Sequence, residues 1–386
     1  MMKTIHSVCF VGAGTMGCFN ALMAASAGHR AVLYDISDHV LRQGPDALQE
    51  MADSLVAFGF FTADIIPDAL QRIVFEADLK KAISGVDLIS ESVAENIDIK
   101  RTVHQQLDQL CDEKTILTTN TSALLVTDIE VAVGRSDAFA ALHSHLGSRL
   151  IDIVGGANTS QEIIDTLCRY VESIEGYPLV LKKPYPGYVL NAMLGPVLTL
   201  SMMLVIENVS TIEQIDSAWM FHFKAPMGPF GMMDLFGLNV VNDSWKKNNL
   251  DARAKQLKPK IIHFLSPFIT GDELGMKTGK GFYHYPNPSY QRDGFVDTDS
   301  SSEFIYQALL VTLIENAIVL ADRDVASPEG IDMAWKVGTH LQDGPFELLN
   351  ALGLANFLSL HAQSVELGLS SSGLAETVGS YLKRVG

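Results

Sequence analysis

The chain has 386 residues, 47% hydrophobic and 19% charged, with a formal net charge of −17. That length allows two or three domains with a large core. The acidic balance excludes nucleic acid and anionic membrane as main partners, because both need a cationic footprint. The four cysteines (Cys9, Cys18, Cys111 and Cys168) form neither C-x-x-C nor a Cys/His ligand spacing. No metal site or disulfide framework is therefore indicated, and a reducing cytoplasm is the expected location.

In chain order, the apolar run Ser7–Val11 enters the turn Gly12-Ala13-Gly14-Thr15-Met16-Gly17, and a helical pattern from Met16 to Ala27 leaves it. A strand–turn–helix context makes G-x-G-x-x-G a dinucleotide signal. Gly12 allows the tight turn, Gly14 lets backbone N–H groups approach a pyrophosphate, and Gly17 lets helix and strand pack closely. A second strand, Ala31–Tyr34, ends at Asp35, 35 − 17 = 18 residues after the last glycine. A carboxylate there accepts from the adenosine ribose and repels a 2′-phosphate, and Ile36-Ser37 brings no Arg, so the reading is NAD rather than NADP.

Asp38 to Phe58 reads as helix, followed by a hinge at Gly59–Thr62 and a second helix from about Ala63. From Asp38 to Arg72 the only Lys or Arg residues are Arg42 and Arg72. Strands follow at Ile73–Phe75, Asp87–Ser90, Thr115–Thr119, Phe139–His145, Leu150–Val154 and Leu179–Leu181, with a helix from about Asp98 to Cys111. The alternation predicts a doubly wound parallel sheet. This is an α/β Rossmann-type domain, with boundaries 1–183.

From Pro186 the pattern is helical. Val189–Ile206 has no charge over 18 residues, but Asn191 and Gly195-Pro196 interrupt it, so a buried helix rather than a membrane span is expected. The chain then repeats itself: Ile215-Asp216-Ser217-Ala218-Trp219 recurs at 331–335, Gly228-Pro229-Phe230 at 344–346, and Gly237-Leu238 at 353–354. Each offset is 116 (331 − 215, 344 − 228, 353 − 237), which predicts a duplicated helical domain. The boundaries are 184–286 and 303–386, joined by a polar connector from Pro286 through Ser302.

An NAD enzyme that oxidises an alcohol needs a base for the hydroxyl proton, and His suits neutral pH. His143 and His145 end a predicted strand, where open α/β sheets place their ligands, and residues two apart share a face.

Seven motifs occur in order: Gly12-x-Gly14-x-x-Gly17, Glu95-Asn96-x-x-x-Lys100, Asn120-Thr121-Ser122, Leu142-His143, Pro186-Gly187-Tyr188-Val189-Leu190-Asn191, Pro226-Met227-Gly228-Pro229-Phe230 and Lys277–Tyr283. Together, from about Ser7 to Tyr285, they resemble the L-3-hydroxyacyl-CoA dehydrogenases, 3-hydroxybutyryl-CoA dehydrogenase among them. The resemblance implies a Rossmann domain followed by tandem helical domains like the C-terminal domain of 6-phosphogluconate dehydrogenase. It implies NAD-dependent oxidation of an L-3-hydroxyacyl-CoA, or the reverse, in fatty acid metabolism. His143 would be the general acid/base, Asp152 its carboxylate partner, and Ser122 and Asn191 would hydrogen-bond the substrate oxygen. Gly12, Gly14, Thr15, Met16, Gly17, Asp35, Glu95, Lys100, Asn120 and Lys277 would form the NAD site. The tandem copy would replace a second subunit's helical domain, giving a monomer or a homodimer.

Three departures bear on the substrate. After its His the family has two aromatics and Asn-Pro, where this chain has Ser144, His145, Leu146 and Gly147. His145 either takes over part of the missing Asn's task or is a surface residue. The gap from His143 to Asp152 is short, and the 38–72 stretch lacks the basic residues that meet CoA phosphates. An alternative substrate is therefore a carrier-protein-bound or free hydroxy acid. A non-catalytic NAD-binding protein is the third reading.

Overall fold

The computed structural model describes residues 4–122, 124–246, 252–296, 300–370 and 372–385. Eight strands form one sheet: β1 (Ser7–Val11), β2 (Arg30–Tyr34), β3 (Ile73–Glu76), β4 (Leu88–Glu91), β5 (Ile116–Thr119), β6 (Phe139–Ser144), β7 (Leu150–Gly155) and β8 (Tyr177–Leu181). Their order is β3-β2-β1-β4-β5-β6-β7-β8. The first six are mutually parallel, and the order reverses beside β1, which opens a crevice at the strand ends for a ligand. Helices cover the sheet, so strands such as β4 and β6 are buried along their whole length.

One step departs from the all-parallel expectation. β7 runs antiparallel to β6, and β8 is parallel to β7. The link from Ser144 to Leu150 is far too short for a crossover, which needs a dozen or more residues, so the chain turns back as a hairpin. That hairpin sets His143 directly opposite Asp152.

By its contacts the chain forms two units. The first is 1–190 together with 323–340; the second is 191–322 together with 341–386. The first therefore takes one helix, Pro328–Thr339, from the duplicated half. Within this unit, Ser148 Oγ donates to the Val337 carbonyl at 3.0 Å, and Lys182 N donates to the Val325 carbonyl at 2.9 Å.

The second unit is helical. The repeat is visible in the helices of the chain: Ile212–Phe223 matches Pro328–Thr339, and Pro229–Phe236 matches Pro345–Leu352, each at the offset of 116. Both copies bury their Trp (Trp219, Trp335) and end the first helix on a left-handed residue, Lys224 and His340. Asp216 accepts from the backbone of Phe230 and Gly231 at 2.9 and 3.0 Å and from Tyr283 Oη at 2.9 Å, which caps the helix Pro229–Phe236. Asp234 binds the backbone N–H groups of Phe282 and Tyr283, which ties down the Lys277–Tyr283 motif. The helix Ser300–Asp322 has a stretch, Ser302–Asp322, long and apolar enough to cross a membrane; 72% of its apolar window is buried, as in a core helix. Of the polar connector, residues 297–299 lie outside the described residues.

Candidate active site

The turn after β1 is shaped by close approach. Gly12 has φ 107°, and a Cβ there would sit 2.7 Å from the Ser92 carbonyl oxygen. A Cβ on Gly17 would overlap the Gly12 carbonyl, so only glycine lets the helix Thr15–Ser26 start this near the strand. Gly14 faces open space, and no side chain caps the helix it starts. Thr15 is exposed and Met16 half-buried in that first turn. The uncapped N–H groups and the free face of Gly14 fit a pyrophosphate. At the end of β2, Asp35 accepts from Ala13 N and Ser37 N, both at 2.9 Å, which fixes its carboxylate beside the turn. This is the donor and acceptor set a dinucleotide needs, and NAD fits it.

Beneath the crevice, at the end of β4, lies a wholly buried polar group. Asn96 caps the helix Ile97–Leu110, which sets Lys100 and His104, four apart, on one face. Lys100 Nζ donates to Glu91 Oε1 at 2.6 Å, and His104 Nε2 lies 3.1 Å from Oε2. Thr119 Oγ1 donates to the same Oε2 at 2.7 Å. Burial alone would push the Glu91 carboxyl up, but His104 and Lys100 outweigh it and hold it down at about 2. Lys100 is thus no solvated charge. It also reaches the Glu95 carboxylate at 3.4 Å, and Glu95 in turn accepts from Ser122 N at 2.9 Å and Thr121 Oγ1 at 2.7 Å. Ser122 itself is exposed.

At the end of β6, Asn120 accepts from Ser144 N at 2.9 Å, and Ser144 Oγ donates to buried Asn20 at 2.6 Å. His143 Nδ1 lies 2.9 Å from Asp152 Oδ2. A carboxylate only accepts, so Nδ1 carries the proton and Nε2 of neutral His143 keeps its lone pair. His145 Nε2 lies 2.9 Å from the same Oδ2, and the two imidazoles meet edge to face at 4.4 Å. Both histidines and the aspartate are buried or nearly so. Burial, with the adjacent His145, pushes His143 below the usual imidazole range, against the upward pull of Asp152 and Glu95. Asp152 stays low in spite of its burial, because the two imidazoles favour the carboxylate. Tyr188, left-handed at φ 52°, sets its ring 4.8 Å from that of His143.

His143, Asp152, Ser122, Asn120, Glu95, Lys100, Asp35 and the glycine turn thus belong to one unit. Asn191, exposed on the helix Leu190–Ile206, and Lys277, exposed on the loop held by Asp234, belong to the other. Sequence reasoning missed Glu91, His104 and Asn20. The available signal for Glu91 was an acid ending an otherwise apolar strand.

Comparison with known proteins divides the chain by sequence order. Residues 7–184 match the NAD binding domain of 3-hydroxyacyl-CoA dehydrogenase, and residues 187–285 and 304–373 match its C-terminal domain. The chain is 29% identical over 296 residues to 3-hydroxyadipyl-CoA dehydrogenase of Escherichia coli K12, covering 74% of this chain and 60% of that protein. Human mitochondrial hydroxyacyl-coenzyme A dehydrogenase is 29% identical over 292 residues, covering 73% of this chain and 91% of that one. In fold, the crystal structure of 3-hydroxybutyryl-CoA dehydrogenase from E. coli K12 superposes with a TM-score of 0.78 at 22% identity, covering 99% of this chain and all of that one.

Proposed function

Since this chain belongs to the 3-hydroxyacyl-CoA dehydrogenase family, a family of NAD-dependent oxidoreductases, we propose that it oxidises the 3-hydroxyl of an L-3-hydroxyacyl-CoA to the 3-oxo thioester, or runs the reverse. The observation that carries this reading is the His143 Nδ1–Asp152 Oδ2 contact of 2.9 Å on opposed strand positions.

NAD, held by the Gly12–Gly17 turn and Asp35, would supply the hydride acceptor. The rest is the work of this chain. The backbone around Gly12, Gly14, Thr15, Met16 and Gly17 holds the pyrophosphate, and Asp35 takes the ribose hydroxyls. Asp152 keeps the Nδ1 proton in place, so His143 Nε2 takes the hydroxyl proton and the imidazolium that forms is stabilised by the carboxylate. Ser122 donates to the substrate oxygen. Asn120 steadies the end of β6 through Ser144 N. Lys100 acts from below: it neutralises Glu91 and holds Glu95, which orders the Ser122 loop.

A second reading keeps the chemistry and changes the carrier. Arg72, one of two Lys or Arg residues between positions 38 and 72, is drawn to the Ala25 carbonyl at 3.3 Å, which leaves Arg42 alone to meet a CoA phosphate there. A panel of 3-hydroxybutyryl-CoA, longer 3-hydroxyacyl-CoAs, carrier-protein thioesters and free 3-hydroxy acids, read by NADH absorbance, separates the two. Turnover confined to free acids would overturn the CoA reading, and no NADH from any member would overturn both.

A further inference from the structure

The mechanism uses one imidazole, yet two converge on Asp152. His143 lies on β6 and His145 just past its end, in the loop to β7, and Asp152 meets them from β7 in register with His143. Asp152 Oδ2 takes both contacts at 2.9 Å, while the buried Oδ1 has no hydrogen-bond partner among the described residues. One donor atom from each of the three side chains lies within 4.8 Å of the others. His143 and Asp152 sit on buried strands, and His145 is the first residue beyond β6.

We propose that His143, His145 and Asp152 form a binding site for a late first-row divalent cation, with Zn²⁺ as the probe that fits best, and that the ion switches the dehydrogenase off. Two imidazole nitrogens and one carboxylate oxygen are a borderline donor set that suits Zn²⁺ and disfavours Mg²⁺ and Ca²⁺. Tetrahedral bonds of about 2.0–2.1 Å put ligand atoms roughly 3.4 Å apart, so each contact opens by only about half an ångström. Water takes the fourth position.

The switch follows from the tautomer, and this part rests on the function proposed above. A neutral imidazole carries one proton. With Nδ1 bonded to the ion, that proton sits on Nε2, the atom that must accept the hydroxyl proton. The ion replaces the His143 and His145 N–H contacts to Asp152, each ring keeps its single proton on its other nitrogen, and nothing is oxidised or reduced.

The test is titration of the full-length protein with Zn²⁺ by calorimetry, without NAD or substrate, and zinc-edge X-ray absorption on the loaded protein. One ion per chain at micromolar Kd or tighter is expected, with nitrogen and oxygen ligands only, and at least a tenfold loss of affinity in His145→Phe. No saturable binding below 100-fold that concentration overturns the site, as do sulfur ligands from a cysteine or unchanged affinity in His145→Phe. The absorption measurement needs no variant, so it decides the matter even if His145→Phe misfolds. Zinc bound as described but with no turnover on any substrate would sink the dehydrogenase reading and leave the site standing. Turnover without zinc binding would do the reverse.

Discussion

His143 and Asp152 face each other across the β6–β7 hairpin, with Nδ1 2.9 Å from Oδ2 and the carboxylate wholly buried. The pairing depends on the backbone reversing direction within the short loop 145–149; a crossover would have placed Asp152 elsewhere.

If that carboxylate fixes the tautomer, Asp152→Asn should lower kcat by about 10²–10⁴-fold while leaving NAD affinity nearly intact. The amide can offer an N–H where an acceptor is needed, and His143 then loses its lone pair on Nε2. Stopped-flow NADH formation and NAD binding by fluorescence check both halves. A kcat within threefold of the parent would sink the dyad.

Removing one partner of a buried ion pair costs more than removing both. Lys100→Met leaves Glu91 buried beside His104 with its strongest counter-charge gone, and should destabilise the sheet unit by roughly 3–5 kcal/mol. Urea unfolding measures this. The double variant Lys100→Met with Glu91→Leu should recover part of the loss. A single variant as stable as the parent would mean that the pair is idle.

The same carboxyl links stability to acid. Its folded pKa of about 2 lies below the ordinary glutamate value, so the unfolded chain binds more protons as pH falls. Its contribution is complete above about pH 4.5 and is lost between there and pH 2, amounting to about 3 kcal/mol. Unfolding curves at pH 7, 5, 4 and 3 should show little change between the first two and a steep decline after. A flat profile down to pH 3 would contradict the assignment of Glu91 as ionised.

Gly17→Ala tests the turn. Its Cβ would overlap the Gly12 carbonyl, so helix and strand must separate where the pyrophosphate is held. Loss of NAD binding by tenfold or more is expected, together with lower thermal stability. Gly14→Ala, which points into open space, should be far milder for folding.

Much of this was legible in the sequence because each signal was local. The glycine turn and the acid ending β2 are patterns within short windows, the repeat shows as one constant offset of 116, and the His143–Asp152 pair came from the family resemblance. What was not legible depended on distance through space. The resemblance put Lys100 among the residues of the NAD site, and only the meeting of the helix Ile97–Leu110 with the end of β4 shows it buried against Glu91. Strand patterns do not carry direction, so the antiparallel β7 escaped; the length of the 145–149 loop was the available clue. The helices Val126–Glu130 and Gln161–Ser173 were also passed over, the first because it is a single short turn.

The helix Pro328–Thr339 lends its backbone carbonyl at Val337 to Ser148, a buried side chain in the loop just beyond the histidines. The duplicated half is therefore not an appendage that can be trimmed without consequence. A chain shortened at the connector would forfeit a structural part of its own nucleotide domain, and engineering that treats the three segments as interchangeable modules would break the molecule across a seam that the sequence order conceals.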